Sequence, residues 1–131
     1  MEEEKNLLVR LQMEKAHHFL YQAEEMCALK HWDLAANRYY YACFHAVQGL
    51  FIKKGMAASR KHAGLVSQFS LHFVKTGKVS TTLGSFLARM MQLRQKADYN
   101  CYYNITEEEL KDYITLSKQL IDKVEELIQN V

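Results

Sequence analysis

Arginines, histidines and carboxylates at helical spacings are where chemistry could lie in this chain. Arg38 and His45 stand seven residues apart, two turns of a helix, so on a helix they share a face. Arg94 and Asp98 stand four apart, the spacing of an intrahelical ion pair worth about 0.3 kcal/mol. Tyr99 follows directly; its phenol can donate a hydrogen bond, but an ordinary pKa of about 10 makes it a poor base at neutral pH. Arg60, Lys61 and His62 put two cations and an imidazole into one connector. Arg38, His45, Arg60, Lys61 and His62 are therefore the candidate ligand-binding residues, for an anion.

Six histidines raise the question of a metal. The adjacent His17 and His18 would point about 100° apart on a helix and could not share an ion in the i,i+4 manner. No His-Glu-x-x-His run or paired cysteine spacing exists, so no metal site is expected. No glycine-rich phosphate loop exists either. Any nucleotide would bind without one, and no cofactor is expected.

Net charge hides an asymmetry. The formal charge is +2, yet residues 34–97 carry ten basic side chains and no Asp or Glu. Residues 1–33 have seven acidic against four basic groups, and residues 98–131 have eight against three. Two readings compete. The basic middle faces an anion such as RNA, a nucleotide or an acidic partner, or the acidic flanks pack beside it and neutralise it.

The elements that must carry these residues are helices. The chain has 131 residues, no proline and five glycines, which predicts one helical domain over 1–131, without an internal repeat or a long linker. Ala16, Phe19, Leu20, Ala23, Met26 and Cys27 form an apolar stripe for a first helix. Asp33 is the expected N-cap of a second, closed by Lys53, Lys54 and a C′ glycine at Gly55. Ser59 would cap a third helix reaching Phe73, and Ser80, Thr81 or Thr82 a fourth reaching Ala97. Thr106 and Glu109 form a capping box for a fifth over 106–129. The three adjacent tyrosines 39–41 cannot all face one core, and Gly49 inside the second helix predicts a tight crossing. The fold class is all-α, an up-and-down bundle of about five helices. Apolar runs are too short for a membrane span, and three unpaired cysteines with an acidic N-terminus predict a reduced, cytoplasmic setting.

Four stretches together resemble the HEPN domain family of stand-alone prokaryotic proteins, over roughly residues 13–128. They are Ala36–His45, then Ser59–Gly64 with Phe69–Gly77, then Leu93–Tyr99. The resemblance implies a homodimer with a polar cleft near its interface. It also implies a place in a toxin–antitoxin or nucleotidyltransferase-linked system, as an RNA-, nucleotide- or partner-binding module. The partner would be a minimal nucleotidyltransferase or an antitoxin. The alternative is a metal-independent endoribonuclease, whose members carry Arg, four to six residues, then His. From Arg94 those positions hold Tyr99, Asn100 and Cys101. The chain departs from the motif there, though Arg10–His17 and Arg38–His45 keep the loose spacing, so an altered catalytic group would be Arg94, Asp98 and Tyr99, joined by Arg38 and His45.

Overall fold

A computed structural model describes residues 2–57, 62–100 and 104–130. Every regular element among them is helical: α1 (Glu2–Ala28), α2 (Trp32–Lys53), α3 (His62–Phe69) running into a π-helical turn (Ser70–Val74), α4 (Thr81–Tyr99), α5 (Glu107–Leu110) and α6 (Tyr113–Gln129).

α2 is the axis of the molecule. Twelve of its 22 residues are buried, because α1 covers one side while α3, α4 and α6 cover the others. A helix enclosed in this way must be apolar around most of its circumference, and Ala35, Ala42, Cys43, Val47, Leu50 and Phe51 are fully buried. The three tyrosines divide as their 100° spacing requires. Tyr39 packs edge-on against Tyr113 of α6, whereas Tyr40 and Tyr41 turn toward α3 and α4.

α1 and α2 form an antiparallel hairpin closed by a Schellman turn. Lys30 sits at φ +62°; its N–H donates to the Cys27 carbonyl at 3.0 Å, and His31 N–H donates to Met26 at 2.9 Å. The hairpin crossing is tight where Gly49 faces Met13, whose Sδ lies 3.2 Å from where a Cβ would stand. A second Schellman turn ends α2, with Gly55 at φ +75° and Met56 N–H donating to Phe51 at 2.8 Å.

Three boundaries differ from the sequence reading. α1 extends back to Glu2, since Glu2, Glu3 and Glu4 favour the positive end of its dipole and Val9 is buried. α2 begins at Trp32 with His31 at the cap position, so Asp33 is not the cap. Its Oδ1 instead accepts from Ile105 N–H at 2.9 Å, pinning the segment that leads into α5. The segment 106–129 is broken at Lys111 and Asp112 into α5 and α6, because the first turn tightens and Lys111 N–H reaches Glu108 rather than Glu107. The Thr106–Glu109 capping box itself is present, as is the Ser80 cap of α4. Ser59 lies outside the described residues.

Candidate functional site

The side chains with the most unusual surroundings collect where α2, α3 and α4 meet. Arg94 projects from α4 with its side chain only 12% exposed. Its guanidinium carbon lies 5.3 Å from the ring centre of Tyr40 and 5.7 Å from that of Tyr41. Stacking of this kind contributes about 1 kcal/mol and fixes the plane of the guanidinium. Nη1 donates to Asp98 Oδ2 at 2.8 Å, while the buried Nε has no partner among the described residues.

His62, the first residue of α3, lies on the same two rings, 5.5 Å from Tyr40 and 5.8 Å from Tyr41. Its Nδ1 shares a 2.6 Å hydrogen bond with the Tyr40 hydroxyl, and Phe44 packs 4.8 Å from its ring. Burial and then the neighbouring Arg94 cation hold its pKa below the ordinary 6.5. At neutral pH His62 is therefore an uncharged imidazole beside a fixed cation. Burial raises the Tyr40 pKa, against the opposing pull of Arg94, so Tyr40 stays a neutral phenol.

Arg38 and His45 share a face of α2, but that face lies under α1. The Arg38 guanidinium covers the Phe19 ring at 5.0 Å, and His45 Nδ1 donates to Gln12 Oε1 at 2.8 Å. Desolvation, with a contribution from Lys15, pushes His45 down to about 4. The pair does not join Arg94 and Asp98; the link between the two groups is Phe44, whose ring touches both His45 and His62. Tyr99 points away, 85% exposed. Arg60 and Lys61, two of the expected ligand-binding residues, lie outside the described residues.

Of the basic middle, Arg89 approaches Asp112 at 4.0 Å and Arg94 pairs with Asp98. Lys75 and Lys78 stay exposed beside the π-helical turn. Acidic side chains of the flanks meet partners on the flanks, as in the Lys118–Glu24 ion pair and the His17–Glu125 hydrogen bond. Elsewhere, a pocket of about 760 Å³ opens between the α1–α2 turn and α5, lined by Cys27, Trp32, Leu110 and Ile114. It is mostly apolar and holds none of the perturbed groups, so the chemistry points to Arg94 and His62 instead. Cys43 is fully buried, and burial pushes its thiol up to about 12, which leaves it unreactive. No group of three potential metal-ligating side chains occurs among the described residues.

A profile of the HEPN domain matches residues 9–127. The chain belongs to the HEPN family. A UPF0332 protein of Thermotoga maritima is 35% identical over 128 residues, covering 98% of this chain and 96% of its own. Two proteins of Methanocaldococcus jannaschii are similar as well. "Putative toxin MJ0605" is 32% identical, covering 74% of this chain and 71% of its own. "Putative toxin MJ0142" is 31% identical, covering 81% and 75%. Within this HEPN chain, sequence reasoning singled out Arg94, Asp98 and His62 but not the aromatic floor beneath them. The available signal was Tyr40 and Phe44 at i,i+4, one face of α2.

Proposed function

We propose that this HEPN protein is an RNA-binding module of the toxin–antitoxin type, holding a phosphate and its ribose at the Arg94–His62 cluster. The carrying observation is the guanidinium of Arg94, stacked over Tyr40 and Tyr41 with a buried Nε that has no partner among the described residues. A fixed cation beside a neutral imidazole is suited to an anion that also carries hydroxyl groups. The two toxin-named relatives support the biological setting.

Fluorescence anisotropy with a labelled single-stranded 20-nucleotide RNA tests this reading. Charge-assisted hydrogen bonds contribute about 1.5–3 kcal/mol, so Arg94→Ala weakens binding at least about tenfold, and the salt dependence becomes shallower. An Arg94→Ala protein that binds RNA as tightly as the parent refutes it. Competition by ATP separates a nucleotide site from an RNA site. The same proposal includes a homodimer, which the exposed Leu7, Leu8 and Leu11 of α1 favour. It also includes a nucleotidyltransferase or antitoxin partner. A monomeric mass by light scattering at micromolar concentration counts against the dimer.

A further inference from the structure

We infer that the apolar pocket between the α1–α2 turn and α5 docks a linear peptide segment of a partner protein. That segment sets an aliphatic or aromatic side chain beside a lysine or arginine. The inference is independent of the RNA-binding reading, because the pocket shares no residue with the Arg94–His62 cluster.

The pocket is built into the fold. Asp33 holds Ile105 N–H at 2.9 Å and so ties the approach to α5 onto the start of α2. The Thr106–Glu109 capping box fixes the first turn of α5, and the buried Leu110 anchors it on the core. Cys27 and Ala28 of α1, with Trp32 of α2, line the space together with α5. Its volume of about 760 Å³ lies in the range of sites that hold a ligand.

Two features say what fills it. The first is extent. Trp32 lines both this pocket and a second depression of about 350 Å³, which continues over Leu34, Asn104 and Ile105. Leu34 and Ile114, one in each, are exposed. Adjoining depressions that share an aromatic side chain suit successive side chains of an extended chain, and exposed apolar surface of this kind marks a protein contact.

The second is charge. Glu107 and Glu108 line the apolar pocket and are both exposed. Lys111 approaches Glu108 at 4.0 Å, while Glu107 has no ion pair among the described residues. Residues 98–131, which supply this wall, carry eight acidic against three basic groups. A negative rim around an apolar floor complements a basic, apolar segment and repels a nucleic-acid strand. Lys30 and Asp33 occur together in the second depression, so the preference for a cation comes from Glu107 and Glu108.

Trp32 is the only tryptophan in the chain, so its fluorescence reports occupancy directly. The probe is a phage-displayed library of random dodecapeptides, panned on the full chain with an Ile114→Asp protein for counter-selection. An acid at the second position of α6 suits the helix dipole, so this variant keeps its fold. Enriched peptides are expected to carry Lys or Arg next to Leu, Ile or Phe, and to shift the Trp32 emission. They bind Ile114→Asp at least about tenfold more weakly, the scale of one lost aliphatic contact. Glu107→Lys combined with Glu108→Lys weakens them at least about fivefold at low salt. A peptide with Glu in place of its Lys or Arg binds that reversed protein better than the parent.

No enrichment on the parent over Ile114→Asp overturns the inference. So do enriched peptides that are acidic, or that leave the Trp32 emission unchanged. Peptides lost on Arg94→Ala would sit at the other cluster and overturn it as well. A lower mass of Ile114→Asp than of the parent in light scattering means that a second copy fills the pocket, which also overturns it. None of these results touches the RNA-binding reading, which anisotropy tests separately.

Discussion

Acidification puts the packing of α1 on α2 to a quantitative test through His45. The ring is partly buried against Gln12 and Phe19, with the Lys15 cation nearby and Arg38 over the Phe19 ring. Its pKa is pushed down to about 4 from 6.5. Once the pH drops below 6.5, an unfolded chain accepts a proton at this site that the folded chain refuses. Stability therefore falls as pH drops from 6.5 toward 4, and this group removes nothing more below that. The gap, at about 1.36 kcal/mol per pH unit, sets a ceiling of about 3.4 kcal/mol. Water reaches part of the ring, and screening reduces the effect to about 1–2 kcal/mol. Urea unfolding of the parent and of His45→Gln at pH 7.5 and 4.5 measures it. Glutamine does not titrate and can still meet Gln12, so the parent loses about 1–2 kcal/mol more than the variant on acidification. His62 and the carboxylates titrate in both proteins and cancel. Equal losses in the two proteins would refute the reasoning.

Three further substitutions probe the backbone. Lys30→Gly relieves a left-handed residue in the α1–α2 turn, a strain of about 1 kcal/mol. It raises Tm by about 3–5 °C, and a lower Tm in a thermal melt contradicts the turn geometry. Gly84→Ala places a Cβ 2.7 Å from Val74 Cγ2. It destabilises by about 1–2 kcal/mol despite alanine's helix propensity, and adding Val74→Ala recovers part of the loss in the double-mutant cycle. Asp33→Ala strips the Ile105 N–H of its acceptor and costs about 1–2 kcal/mol in urea unfolding. Asp33→Asn, which keeps an acceptor oxygen, retains most of that stability.

Local signals in the chain carried far. The Thr106 capping box, the Ser80 cap and the C′ glycine at Gly55 all act within a few residues of themselves, so sequence spacing alone identifies them. Gly49 was legible because a glycine inside a helix has a propensity cost that only close packing offsets. Gly84 was not, since the side chain it accommodates, Val74, lies across a turn. Asp33 shows the same limit from the other side. A capping residue type stood beside a helix start, and a donor 72 residues away claimed its carboxylate. The Arg94–Asp98 pair follows from i,i+4 spacing. The meeting of Arg94 with His62 depends on how α3 and α4 pack across Tyr40, and no period in the sequence encodes it. Arg38 and His45 share a face as spacing requires, but which helix covers that face is a tertiary fact.

The order of the three key positions along the chain has a consequence during synthesis. Tyr40, His62 and Arg94 come from α2, α3 and α4 in turn. The α1–α2 hairpin needs only the chain up to Lys53 and is closed by its own Schellman turn. It can form while the rest is still being made, at about 5–20 residues per second. The Arg94–His62 cluster cannot. It comes together only after α4 has been released and has docked against α2. A nascent chain of this kind therefore leaves the ribosome with its scaffold built and the Arg94–His62 cluster still apart.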